Sequence, residues 1–379
     1  MITVLPVKDN DLLGTLRAFL RKLMETGVVE AIFVPLEVEA GLPIPALVTD
    51  PARLDLANPL LPAMPINNAR AVSALTGKNT PARIGAVLRS CEIRALIELV
   101  KLQQASLENL ITIGLDCLGT FDLTEYDRVR VNGQIDMTGY LAMTSQEAML
   151  PADLNPAGSY QLRPACQMCI QPLPEKADIQ FHLLGIDLSQ GLPVTISEQI
   201  AAELGLTESM PASPPASNAT VAKLMERRRQ SREKELDAIR SRLTSNGGIT
   251  GLFAACIRCH NCMTACPICY CRTCLFKTTA FDHPPEFYLQ AAHNKGAIRM
   301  LGDTMLFHMT RLNHMSLSCV SCGMCSAACP ADIPVGTIFS AIGEKVQKTF
   351  NYTPGRDVTE PLPLITYQAE EWVDIGEVG

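Results

Sequence analysis

The densest chemistry in the chain is the run CIRCHNCMTACPICYCRTC, residues 256–274, with seven cysteines in nineteen positions. Within it Cys256, Cys259, Cys262 and Cys266 follow C-x2-C-x2-C-x3-C, with Pro267 next. The same spacing returns at Cys319, Cys322, Cys325 and Cys329, with Pro330 next. This is the bacterial ferredoxin pattern. Two-residue gaps turn three thiolates of one tight loop toward three corners of a cubane, and in two-cluster ferredoxins the fourth cysteine serves the other cluster. The spacing therefore predicts one [4Fe-4S] on Cys256, Cys259, Cys262 and Cys329, and another on Cys319, Cys322, Cys325 and Cys266. The fourth cysteine of each run is expected to open a helix, with the proline in its first turn. Zinc competes for such thiols, but it usually takes two C-x-x-C pairs, not a close triplet with a distant fourth ligand.

Seven cysteines remain. Cys269, Cys271 and Cys274 either hold a further cluster with a non-cysteine fourth ligand or are thiols packed near the first cluster. Cys91, Cys117, Cys166 and Cys169 either form a third set of four or divide into two buried thiols and a redox C-x-x-C; the residues alone leave both open. His260 lies inside the first cysteine loop, where an exposed side chain is expected over a hydrogen bond to the cluster. His182, His283, His293, His308 and His314 lack ligand-like pairing and read as packing or surface. No Ser/His/Asp grouping suggests hydrolysis, so no residue is expected to be catalytic. No GxGxxG follows a strand, so a classical dinucleotide site is not expected.

These residues need a scaffold, and a chain of 379 residues suffices for two or three domains. The composition is 47% hydrophobic and 19% charged, as in an ordinary globular protein. A net charge of −7 argues against nucleic acid as a partner. No apolar run approaches the ~18 residues of a membrane span, so no membrane insertion is expected. Lys8 and Asp9 interrupt the start before a signal peptide could develop, which points to the cytoplasm. Fifteen cysteines in a reducing compartment are metal ligands sooner than disulfides.

Residues 1–205 read as an α/β domain with a third candidate cluster site. DLLGTLRAFLRKLME has helical spacing, while VVEAIFVPL and PALVTD read as strands. RIGAVLR, CEIRALIELVKLQQA and NLITIGLD make a strand–helix–strand unit, with Cys91 and Cys117 directly after its strands. Residues 206–247 are expected to hold a linker, ESMPASPPASNAT, and a charged helix whose Arg/Lys run is a solvated face. Residues 248–345 read as a mainly α, ferredoxin-like domain with two clusters, and 346–379 as an extended C-terminal tail.

Several segments carry a resemblance that spans nearly the whole chain. These are SCEIRALIELVKLQQASLENLITIGLDCLGT, RPACQMCIQPLPEKADI with its Ala177–Asp178 pair, CIRCHNCMTACPICYCRTC, SCVSCGMCSAACPADIPVGTIF and YTPGRDVTEPLPL. In these, and in their order, the chain resembles the beta subunits of the formate dehydrogenase and deazaflavin-reducing hydrogenase family of methanogens, most closely those of formate dehydrogenase. The resemblance implies a third [4Fe-4S] on Cys91, Cys117, Cys166 and Cys169. It also implies a separate catalytic partner with a molybdenum- or tungsten-pterin that oxidises formate. Flavin-binding members carry a Gly-Gly turn at the first helix and a glycine-rich turn after the Ala-Asp pair. Here those regions are KDNDLLGTLRAFL and IQFHLLGIDL, with only Gly14 and Gly185, which argues against bound FAD.

The expected role is an iron–sulfur electron-transfer subunit in a formate dehydrogenase-type oxidoreductase of anaerobic metabolism. It would relay electrons to a flavoprotein or a heterodisulfide reductase-type acceptor. The alternative is an FAD-containing subunit that itself reduces a deazaflavin or nicotinamide, or the equivalent subunit of a hydrogenase. A structural or redox-sensing iron–sulfur protein is a third reading.

Overall fold

A computed structural model describes residues 1–38, 41–77, 80–131, 162–206, 219–245, 247–298 and 302–363. The backbone divides into two compact units: Met1–Arg232 with Gly355–Glu360, and Glu233–Pro354 with Pro361–Gly379.

The first unit is built on one seven-stranded sheet. Its strands are β1 (Ile2–Leu5), β2 (Ala31–Glu37), β3 (Pro43–Val48), β4 (Ile84–Arg89), β5 (Leu110–Leu115), β6 (Ile179–Phe181) and β7 (Leu192–Ile196). Their order is β1-β7-β6-β5-β4-β2-β3. β2, β4, β5 and β6 are parallel to their neighbours in that group, and β3, β7 and β1 add antiparallel edges. The apolar runs IGAV and LITIGL are buried along their length, as strands covered on both faces must be.

Helix α1 (Leu12–Glu25) buries Leu12, Leu16, Phe19, Leu20 and Leu23, a stripe at helical spacing. The Asp11 carboxylate caps this helix. It accepts the Gly14 N–H at 2.7 Å. Phe19 meets Phe181 of β6 with ring centroids 5.2 Å apart, in the edge-to-face geometry that aromatic pairs favour. α2 (Ala69–Leu75), α3 (Ser90–Lys101), α4 (Leu123–Val131), α5 (Pro164–Gln167) and α6 (Glu198–Glu203) complete this unit's connections. The strand–helix–strand unit expected at residues 83–116 is β4–α3–β5, with the helix ending at Lys101.

The charged helix is α7 (Ala219–Thr244). Its basic run is not wholly solvated: Arg228 is buried and donates from Nη2 to the Leu118 carbonyl at 2.9 Å. Most of the Pro/Ser-rich linker before it, residues 207–218, lies outside the described residues.

Every element described in the second unit is helical: α8 (Gly248–Leu252), α9 (Asn261–Ala265), α10 (Pro285–Lys295), α11 (Thr304–Met315), α12 (Met324–Ala327), α13 (Val335–Thr349) and short 3-10 turns. The fourth cysteine of each run does not open a helix. Cys266 caps the C-terminal end of α9 with extended backbone, and Cys329 follows α12. The chain winds a short helical turn within each cysteine run, so the helix precedes the fourth cysteine. Pro330 then sits in a turn, and α13 begins only at Val335.

α13 runs to Thr349, into the span expected to be extended. Beyond it, Gly355–Glu360 packs with the first unit. There the Gly355 N–H donates to the buried Glu98 carboxylate at 2.8 Å, and Lys101 stands 3.5 Å from Glu98 and 3.7 Å from Glu360. The end of the tail, 364–379, lies outside the described residues.

Candidate metal centres

In the first unit β4 and β5 run in register from Ile84↔Leu110 to Arg89↔Leu115, so their carboxyl ends finish together. This is where open parallel sheets place their sites. Cys91 follows β4 as the second residue of α3, and Cys117 stands two residues beyond β5. Cys166 lies in α5 and Cys169 just past it. Cys117 faces Cys166 and Cys169, while Arg89 faces both Cys91 and Cys117. All four cysteines therefore gather at one end of the sheet.

The segment IGLDCLGT does this positioning residue by residue. A side chain at Gly114 would collide with Pro174, whose Cβ lies 2.3 Å from the place of a Cβ. The missing side chain lets the segment after Cys169 pack on the strand, and the Pro172 carbonyl then accepts the Cys117 N–H at 2.8 Å. Asp116 is buried and accepts the N–H groups of Leu183 and Leu184 at 2.9 and 3.1 Å. Gly119 has φ +113, backbone that favours glycine. A Cβ there would lie 2.8 Å from Leu162 and 3.4 Å from Cys166. Asp178 ties the following strand back, accepting both the Thr112 N–H and its hydroxyl at 2.7 Å.

The electrostatics of this set are uneven. Burial pushes the Cys117 thiol up, against the opposing charges of Arg89 and Arg228. Burial acts the same way on Cys166, but the Arg163 guanidinium, hydrogen bonding with Thr120 and Arg228 outweigh it and hold that thiol below its ordinary range. Arg163 is buried and donates to the Thr120 hydroxyl at 2.8 Å, which lies 3.4 Å from the Cys166 sulfur.

Beside these cysteines a cleft of about 650 Å³, counted to its open mouth, enters between the ends of β4 and β5. Apolar side chains line it, together with Asn68, Arg89, Glu92 and Asp116. Burial raises the Glu92 carboxyl against the pull of Arg89, and Glu92 accepts the N–H groups of Arg89 and Asn68 at 2.8 and 2.9 Å.

In the second unit the cysteines sort into two sets. Cys256, Cys259, Cys262 and Cys329 act on one another electrostatically. The pocket they line measures about 330 Å³, counted to its mouth, and holds cysteines of both runs. Cys325 faces Cys266, Cys322 and Cys319. Each set thus combines three cysteines of one run with the fourth of the other. Cys269 stands near Cys271 and Cys274, and the Cys274 thiol lies 3.9 Å from the Met263 sulfur. Among the described residues no three His, Cys, Asp or Glu side chains close tightly enough for a single metal ion. A cubane asks for a wider arrangement, one thiolate at each of four irons, and four thiols around one pocket fit that donor set.

Burial pushes Cys262 up to about 11 and Cys266 up to about 12, each opposed by the Arg311 guanidinium. Arg311 donates from Nη1 to the Cys262 sulfur at 3.1 Å and from Nη2 to the Cys262 carbonyl at 3.0 Å. The Arg258 N–H lies 3.5 Å from the Cys256 sulfur. One histidine differs from expectation. His260 is half-buried and stacks on Phe307 with ring centroids 4.5 Å apart, because its left-handed backbone turns the ring inward. His308 is buried, stacks on Phe253 at 3.7 Å and brings Nε2 to 3.3 Å from the Cys256 sulfur. Burial, with Arg311 and His260 nearby, lowers His308 to about 3, so it is neutral at neutral pH. His308, Arg311, Arg163 and Arg228 all touch the cysteine sets or their backbone, and none has a motif that would have marked it.

Comparison with known proteins bears on the same segments. Residues 82–196, which hold Cys91, Cys117, Cys166 and Cys169, match the family described as the C terminus of the coenzyme F420 hydrogenase/dehydrogenase beta subunit. Over that segment the chain is similar to this beta-subunit family. It is 27% identical over 313 residues to the F420-dependent formate dehydrogenase subunit beta of Methanocaldococcus jannaschii, covering 76% of this chain and 77% of that one. It is 25% identical over 307 residues to the F420-dependent formate dehydrogenase 1 subunit beta of Methanococcus maripaludis, covering 75% and 76%. A chain from the F420-reducing [NiFe] hydrogenase complex of Methanosarcina barkeri aligns with TM-score 0.44 at 13% identity, covering 63% of this chain and 92% of that one. No described helix is long and apolar enough to cross a membrane.

Proposed function

We propose that this chain is the iron–sulfur electron-transfer subunit of a formate dehydrogenase-type oxidoreductase complex. The observation that carries the reading is the sorting of cysteines into three sets of four, two of them exchanging their fourth member. Cys256, Cys259, Cys262 and Cys329 hold one [4Fe-4S]; Cys319, Cys322, Cys325 and Cys266 hold a second; Cys91, Cys117, Cys166 and Cys169 hold a third. The names of the two curated relatives support a formate dehydrogenase-type beta subunit.

When bound, each cluster supplies one-electron transfer at a potential set by its charge, hydrogen bonds and exposure. The chain's own residues fix those terms. His308 and the Arg258 N–H face Cys256, Arg311 faces Cys262, and Arg163 and Thr120 face Cys166. No side chain of this subunit is assigned bond chemistry. Formate oxidation belongs to a molybdenum- or tungsten-pterin partner, and the electrons leave to a flavoprotein or heterodisulfide reductase-type acceptor. Cys269, Cys271 and Cys274 are three grouped thiols, with Cys269 facing Cys266 of the second set; iron content above three clusters would assign them a fourth.

A second reading has one observation in its favour. A cleft of about 650 Å³ opens at the ends of β4 and β5. Its mixed apolar and polar lining suits a small-molecule site. A flavin there would make this subunit the place where single electrons become a hydride for a deazaflavin. Only Gly14 and Gly185 mark the two regions where flavin-binding members carry glycine-rich turns, and this favours the relay.

Formate added to the anaerobic complex tests the reading. The visible absorbance and EPR signals of this subunit's clusters should show reduction within turnover time. Clusters that stay oxidised while formate is consumed would refute the relay and leave a structural role.

A further inference from the structure

Arg311 sits on α11 with 3% of its surface exposed. Its guanidinium lies 4.9 Å from the Phe339 ring centroid and 5.5 Å from that of Phe307. These two aromatic contacts fix its plane. One nitrogen donates to the Cys262 sulfur, another to the Cys262 carbonyl, and Nε is buried without a hydrogen-bond partner. The largest opposite charges facing it are thiolates: Cys262, then Cys266 and Cys325, then Cys269. Cys262 belongs to one ferredoxin-type set, and Cys266 and Cys325 to the other. Arg258, a second arginine near these cysteines, is ion-paired with the Asp303 carboxylate, so its charge is already answered.

A buried guanidinium facing no carboxylate is unfavourable unless another negative group meets it. Here that group is the thiolate ligand shell of two clusters at once. We infer that Arg311 is a shared positioning cation whose fixed charge raises the reduction potentials of both ferredoxin-type clusters together. The inference rests on the reading that those two sets hold [4Fe-4S] clusters. Each cluster gains one electron, and so one negative charge, on reduction. A cation held in low dielectric beside the ligands stabilises the reduced form more than the oxidised one. Because one guanidinium serves both, the two potentials move in the same direction, which keeps them matched for transfer from one to the other.

The test is an EPR-monitored redox titration of the full chain, purified anaerobically, with a low-potential chemical reductant supplying the electrons. Wild type is measured first: absence of cubane signals would fail the cluster reading itself. With clusters present, Arg311→Gln and Arg311→Met should each make reduction of both ferredoxin-type clusters at least tenfold less favourable, a fall of about 59 mV per one-electron couple. Arg311→Lys, which keeps the charge, should recover most of that shift. A purely structural role would not move the potentials of clusters that remain loaded. The inference is overturned if neither potential falls, if only one falls, if Arg311→Lys falls as far as the neutral variants, or if both neutral variants lose their iron.

Discussion

His308 places Nε2 at 3.3 Å from the sulfur of Cys256, although the two residues are fifty-two positions apart. Stacking on Phe253 at 3.7 Å fixes the ring, and burial lowers its pKa to about 3. With Cys256 ligating a cluster as a thiolate, a neutral imidazole there would donate Nε2–H to it. His308→Phe should keep the stack and lose the hydrogen bond. We expect the cluster on Cys256 to fall by about 1 kcal/mol of reduction free energy, on the order of 50 mV, with the other cluster of the pair unmoved. Redox titration separates this one-cluster effect from the two-cluster effect of Arg311.

The same pKa shift makes a statement about pH. In the iron-free chain His308 is neutral well below the ordinary imidazole range, so its ring should show no NMR titration between about pH 5 and 9. A titration in that window would contradict the burial of this ring.

Gly114→Ala tests how the third set is held. The new Cβ would sit 2.3 Å from that of Pro174 and push away the segment that accepts the Cys117 N–H. Overpacking of this kind costs about 1–3 kcal/mol. The melting temperature should fall, and iron content should drop by one cluster while the ferredoxin-type signals persist.

Asp178→Ala removes two hydrogen bonds to Thr112, at 2.7 Å each. It leaves the Thr112 N–H unsatisfied beside β6. A loss of about 1–3 kcal/mol is expected in urea unfolding.

The iron-free chain should weaken in alkali. Burial raises Cys262 to about 11 and Cys266 to about 12 in the folded chain, above their unfolded values. The folded state then binds protons more tightly than the unfolded state. That stabilisation is complete below the unfolded thiol pKa and is lost as pH rises through the folded values. The urea midpoint of the iron-free chain should fall between about pH 9 and 12, and a midpoint that rises there would contradict the burial of these thiols.

What was legible in the sequence depended on locality. α1 could be read from the spacing of Leu12, Leu16, Phe19 and Leu23, and β4–α3–β5 from buried runs flanking a helical period. The two cysteine runs could be read as candidate ligand sets because ferredoxin loops carry their ligands at fixed short spacings. What could not be read comes from long-range packing. Arg311 and His308 reach cysteines dozens of residues earlier, and no local pattern marks a buried cation or imidazole. Arg228 lies inside a basic run that looks solvated, yet the fold closes over it and turns it onto the Leu118 carbonyl. The same limit explains Cys266: its spacing indicates which set it joins, but not that it would end a helix rather than begin one.

Iron and flavin content of the anaerobically purified native complex, per copy of this subunit after separation, tests the central claim most directly. About twelve irons and no flavin are expected on this chain, three cubanes and nothing else. Eight irons or fewer would remove the third cluster from the ends of β4 and β5. One flavin on this chain would contradict the relay and make it the site where electrons are paired.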